Sequence, residues 1–156
     1  AYTPDPAAAR AAFLALIADH PDHVFAQLAL AKVAEIELYD TSLSADERLA
    51  RFAALEARGT ALTHWPARRD FHQVMAQSAL FFDLPLSLAQ RHLLASLEAG
   101  FSSPINRANV VFRAAEVAAE LGDRTLARRL YDEFLQVLPR DARARLARER
   151  RDALDA

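Results

Sequence analysis

The amino-acid sequence predicts an all-α protein, a tandem array of about eight helices joined by short connections into antiparallel hairpins. Three observations carry that expectation. Glycine occurs only at positions 59, 100 and 122 of 156 residues, while alanine, leucine and arginine dominate a chain that is 53% hydrophobic, which favours helix over sheet. Prolines and capping residues fall at helix-length intervals. A pattern of small and aromatic residues also recurs along the chain at nearly even spacing.

The elements follow in order from that punctuation. Asp5 and Pro6 open a helix over 5–19, which Pro21 ends, and the next runs over 22–39 up to "YDTSL" at 39–43, the one longer connection. Ser44 with Glu47 reads as a capping box for 45–60. Pro66 starts 66–82, and Pro85 starts 85–99, closed by Gly100. Ser103 and Pro104 begin 104–121, closed by Gly122. Asp123 caps 123–138, which Pro139 terminates, and Asp141 caps the last helix, 141–154. A single domain over 1–156 is expected, with 141–156 as its terminal capping helix.

Composition narrows the function. A net charge of −2 and a pI near 6.2 give no global field toward nucleic acid or an anionic membrane. No cysteine means no disulfide, thiolate metal site or thiol nucleophile. The longest apolar run, Val24 to Ala31, is interrupted by Gln27 and followed by Lys32, well short of the roughly 18 residues of a spanning helix. A soluble segment, cytoplasmic or periplasmic, is expected. It starts at alanine, as a processed chain or a domain of something longer would.

The recurrence is clearest when "GDRTLARRLYDEFLQVLPRD" is moved back 118 residues onto "PDPAAARAAFLALIADHPDH". Asp123, Ala127, Tyr131, Leu135 and Pro139 then coincide with Asp5, Ala9, Phe13, Ile17 and Pro21. Weaker copies lie around Ala89 with Leu93 and Leu97, and around Ala50 with Ala54, so that Ala9, Ala50, Ala89 and Ala127 are 41, 39 and 38 residues apart. A small residue lets two helices approach, and the aromatic one turn later fills the gap beside it. Leu30, Ala31 and Ala34, and Ala114, Ala115 and Ala118, repeat the theme in the preceding helices.

On these residues the final unit, 108–141, resembles a tetratricopeptide repeat, with Gly122-Asp123, Ala127, Tyr131 and Pro139 on that family's signature positions. It departs from the pattern at Val111, where the family has an aromatic, and at Ala118, where it has tyrosine; the middle units also have a longer period. The resemblance implies a superhelix whose concave face holds a peptide or a partner helix. Carried over by spacing, the groove positions would be Phe25, Leu28, Lys32 and Glu35, then His72, Met75 and Phe82, then Asn109, Phe112 and Glu116. That mixture suits an apolar or amphipathic segment; the alternative is that these apolar residues are simply core.

Signatures of chemistry are missing from the sequence. No nucleophile elbow, Walker loop, zincin motif or dinucleotide fingerprint occurs, and no cofactor is implied. "HPDH" sets His20 and His23 around a proline with Asp22 nearby, which would hold zinc only with a ligand from elsewhere; a capped turn is the simpler reading. His64, His72 and His92 lack partners at helical spacing and read as surface or groove residues. Trp65 reads as packing on its own helix, and Phe81-Phe82 cannot both point inward. In the last helix, Arg145–Glu149, Arg148–Asp152 and Arg151–Asp155 are spaced for pairing, which favours a solvated cap with Ala142, Leu146 and Ala153 as its apolar stripe over nucleic-acid binding.

The expected role is therefore a non-catalytic protein–protein interaction scaffold for a protein or peptide partner. Two other roles stay open: a soluble appendage of a larger membrane-bound envelope or glycopolymer enzyme, and a ligand-sensing regulatory module. Ala9, Phe13, Leu16 and Ile17 are expected to cover one neighbour of the first helix, while Ala12 and Leu14 point toward a side without one. An upstream helix or membrane-proximal segment is expected there.

Overall fold

A computed structural model describes residues 5–155. Among them the chain forms eight α-helices and no strand: α1 (Pro6–Asp19), α2 (Val24–Leu38), α3 (Ala45–Gly59), α4 (Trp65–Phe81), α5 (Leu86–Ala99), α6 (Pro104–Glu120), α7 (Arg124–Val137) and α8 (Ala144–Ala153). The caps explain the agreement with the expected ends. The side chains of Asp5, Ser103 and Asp123 accept from the backbone N–H of Ala7, Asn106 and Leu126, and Ser44 and Glu47 exchange both bonds of a capping box. Gly100 and Gly122 take φ of +115° and +79°, and a side chain there would strain the backbone. Only α8 starts three residues late: the chain first makes a tight turn, with Ala144 N–H donating to the Asp141 carbonyl at 2.9 Å and the Asp141 carboxylate accepting from the N–H and guanidinium of Arg143.

Neighbouring helices pack in sequence, α1 on α2, then α4, α5, α6, α7 and α8 each on the next, an all-α helical array. One departure stands out from the expected succession of hairpins. Helix α2 lies directly against α4, and the intervening α3 approaches both only slightly. A first core cluster gathers Leu30, Val33, Leu38, Phe52, Leu55, Phe71 and Met75; a second gathers Val111, Val117, Leu130, Tyr131 and Phe134 with Ala147 of α8. Each large side chain so buried contributes roughly 1.5–3 kcal/mol.

Small residues mark the close crossings where the sequence placed them in α2, α5, α6 and α7: Ala34, Ala89, Ala114, Ala115, Ala118 and Ala127 are fully buried. The copy in α3 is a correction. Ala50 and Ala54 are exposed, because α3 buries the stripe Arg48, Phe52 and Leu55 instead. Its close approach is made by Gly59, where an added Cβ would overlap the ring of Phe71 on α4. In α1, Ala9, Phe13, Leu14 and Ile17 turn inward while Ala12 and Leu16 are exposed, so Leu14 and Leu16 exchange their expected sides.

Two buried polar side chains tie the array together. Gln27 of α2 accepts at Oε1 from the N–H groups of Thr63 and His64, both at 2.9 Å, and donates from Nε2 to the Pro21 carbonyl and the Thr63 hydroxyl. One carboxamide thus joins the α1–α2 and α3–α4 connections, every lone pair and proton used. Arg48 of α3 donates to the carbonyls of Leu38, Asp40 and Leu43 and lies 3.6 Å over the ring of Phe82, which fixes the longer connection after α2.

At the far end, the buried stripe of α8 is Ala144 and Ala147, with Leu154 partly covered; Ala142, Leu146 and Ala153 are exposed. The buried face is offset from the expected stripe by one or two residues. Arg145 and Glu149 do pair at 3.5 Å. The other two arginines reach further: Arg148 donates to the Pro139 carbonyl, and Arg151 pairs with Asp132 of α7 and with Asp152, while Asp155 pairs with Arg128. The basic tail is stitched to α7 by these contacts. No helix among the described residues is long and apolar enough to cross a membrane.

Candidate functional site

Helix α4 is enclosed by α2, α3 and α5, and one stripe of it stays open. Arg69, Gln73, Gln77 and Phe81 follow one another at four-residue intervals, which keeps them on one side of the helix. All four line a cavity of about 880 Å³ between α4 and α6, whose other walls include Tyr39, Phe101, Asn106, Asn109 and Arg113. The reverse slope of the same ridge lines a second cavity of about 460 Å³, shared with Phe13 and Leu16 of α1 and with Phe25, Leu28, Lys32 and Glu35 of α2. Gln73 and Gln77 border both. The result is a trough in two parts, apolar with a charged rim toward α1, and lined by amides and aromatics toward α6.

Two aromatic residues in it stand out by exposure, Phe25 at 67% and Phe81 at 70%. Phe81 leans on Tyr39 and Phe82, with ring centroids 5.5 and 4.8 Å apart, so the exposed ring is held in place by its neighbours. Arg69 lies between the rings of Trp65 and Phe101, at 5.2 and 5.7 Å, and is paired with Asp70 at 2.7 Å. Trp65 itself is 44% exposed and covers its own first turn through Arg69.

The expected groove positions divide by helix. Phe25, Leu28, Lys32 and Glu35 line the smaller cavity, and Asn109 lines the larger. None of the expected α4 positions lines either cavity. Met75 is fully buried in the first core cluster, Phe82 is half-buried beneath Arg48, and His72 turns toward α5. Phe112 is also core, 4.9 Å from the ring of Phe134, and Glu116 is held by Arg113 and by Arg150 of α8. Their sides of α4 and α6 are taken by α5, α7 and α8, so only the adjacent stripe faces the trough. Arg69, Gln73 and Gln77 were not among the expected groove positions; their four-residue spacing is the signal in the sequence that could have found them.

The histidines need a second correction, because His72 and His92 are not isolated. Nδ1 of one lies 2.8 Å from Nδ1 of the other, and His92 Nε2 is 2.7 Å from the Glu56 carboxylate, which also pairs with Arg91. The carboxylate must accept from His92 Nε2–H, so His92 Nδ1 carries the lone pair and His72 Nδ1–H donates to it. His92 is only 3% exposed. Burial, then the charges of His92 and Arg68, push His72 from 6.5 down to about 4, against the pull of Glu56; burial likewise lowers His92.

This chain of groups joins α3, α4 and α5 beneath the trough and lines neither cavity. At the other histidine junction, His23 Nδ1 accepts from the N–H of Phe25 and caps α2, while His64 Nε2–H donates to the Asp22 carbonyl. Among the described residues no three His, Asp or Glu converge on a point that could hold a metal ion. Compared with models of protein families, with curated proteins and with solved structures, the chain gives no match.

Proposed function

We propose that the protein is a non-catalytic interaction module, a tetratricopeptide-like array that holds a segment of a partner protein across α2, α4 and α6. The observation that carries this reading is the two-part trough with its exposed rings Phe25 and Phe81, the second braced by Tyr39 and Phe82. Exposed aromatics that are already fixed lose little freedom on binding and make effective anchors. The reading takes the working surface to be the troughs and not the basic tail, since Arg148 and Arg151 are engaged with the protein itself.

The larger cavity falls within the 300–1,000 Å³ of small-molecule sites. Its walls weigh against a ligand-sensing role, because such sites are mostly apolar with a few converging polar groups, whereas amides and guanidiniums line much of this one. Selection from an array of random-sequence peptides tests the proposal directly. Phe25→Ala combined with Phe81→Ala should lower affinity for selected peptides by about tenfold or more while the helical circular dichroism stays unchanged. Binding that survives in this variant and is lost on changing Arg148 and Arg151 would move the site to α8 and overturn the proposal.

A further inference from the structure

The walls of the larger cavity differ in chemistry from those of the smaller, and they point to a ligand of its own. Buried Leu93 and Val110 give it an apolar floor, and the exposed ring of Phe81 stands at the C-terminal end of its α4 wall. Carboxamides line it from both helices, Gln73 and Gln77 on α4 and Asn106 and Asn109 on α6. Among the described residues only Asn109 of these four has its side chain engaged, accepting from Arg143 at 2.8 Å. From Arg69 to Phe81 the wall runs three intervals of four residues, about 18 Å.

Each class of ligand asks for different walls. An apolar side chain would serve the ring but strip water from the amides without replacing it. An anion would find the guanidiniums taken, Arg69 by Asp70 at 2.7 Å and Arg113 by Glu116 at 3.0 Å. A sugar matches both parts. Its hydroxyls, like the carboxamides, donate and accept, so two neighbouring hydroxyls can be bridged by one amide. Its C–H face needs an open aromatic ring, which Phe81 offers while resting on Tyr39 and Phe82. The amides that set this cavity apart from mostly apolar small-molecule sites therefore suit a polyhydroxylated ligand. A wall of about three helical turns is longer than one sugar ring, which favours a short chain of them.

We propose that the larger cavity binds a neutral oligosaccharide, with one sugar ring stacked on the open face of Phe81 and the hydroxyls of the next bridged by Gln77, Gln73 and Asn106. This goes beyond peptide capture and uses only the α4–α6 side of the trough. The test probes a printed array of neutral, sialylated and sulfated glycans with the whole chain, then titrates the strongest neutral oligosaccharide by calorimetry. A dissociation constant of about 1 mM or tighter is expected. Phe81→Ala and Phe81→Leu should each weaken binding by about tenfold and Phe81→Trp should not; Gln73→Leu with Gln77→Leu should weaken it as much, with the helical circular dichroism unchanged in every variant. An array without a neutral binder, binding confined to sialylated or sulfated glycans, or binding that survives Phe81→Leu or the double glutamine change overturns the saccharide site. Peptide capture is read separately, on the peptide array and through Phe25, so neither result decides the other.

Discussion

Acid should destabilise this protein through His72, and the size of the effect follows from where the ring sits. In the unfolded chain His72 protonates near 6.5; in the folded protein it is pushed down to about 4 by burial, by His92 and by Arg68, with Glu56 opposing. The folded pKa is the lower one, so the unfolded state binds protons first as pH falls. Stability is full above 6.5 and drains away between 6.5 and 4. Taken whole, that shift would remove about 2 kcal/mol by pH 5, and solvent screening of the half-covered ring reduces the expectation to about 1 kcal/mol. Urea unfolding of the wild type and of His72→Gln at pH 7.5 and pH 5 isolates it, because carboxylate contributions cancel in the difference. The wild type should lose about 1 kcal/mol more than the variant. Equal losses, or a His72 imidazole resonance that titrates near 6.5, would refute the buried Glu56–His92–His72 chain.

Three further outcomes rest on packing and hydrogen bonding. Gly59→Ala should cost roughly 1–3 kcal/mol, measured by chemical denaturation, because the new methyl meets the Phe71 ring; an unchanged midpoint would mean that α3 does not approach α4 there. Gln27→Leu should cost roughly 2 kcal/mol or more by the same assay, since the N–H groups of Thr63 and His64 lose their shared acceptor. Ala127→Leu overfills the α6–α7 crossing and should cost roughly 1–3 kcal/mol, with fluorescence of Trp65, remote in sequence, reporting the same transition if the array unfolds as one unit.

Helix positions were legible because what sets them is local. A proline, a capping carboxylate or a glycine of positive φ acts on its own turn, and Asp5, Ser44, Ser103, Gly122 and Asp123 did what their types dictate. Register was legible where alanines mark close packing, in α2, α5, α6 and α7, and not in α1 or α8, although each of those packs on a single neighbour. Helix α4 touches α2, α3 and α5, so its apolar residues run most of the way round and periodicity could not separate the trough stripe from the core by one position. The groups that needed tertiary structure were those joined across long stretches of chain: Gln27 to Thr63, His72 to His92, and Glu56 to His92. Arg48 was hidden for another reason, since an arginine in the first turn of a helix, in an exposed-looking run, gives no sign that it binds three carbonyls behind it.

The direct seating of α2 on α4 has a consequence for how the molecule breathes. Helix α3 is anchored by a narrow stripe and by a few polar ties, and none of its residues borders either cavity. Separating it would uncover Phe71 and His92 and release the connection that carries Tyr39, while the α2–α4 contact stays in place. Amide protons of α3 should therefore exchange before those of α2, α4 and α6, and equal exchange across the four helices would show that α3 opens only with the whole array. Substitutions on its outer surface fall on a part that can drift in sequence without touching the trough.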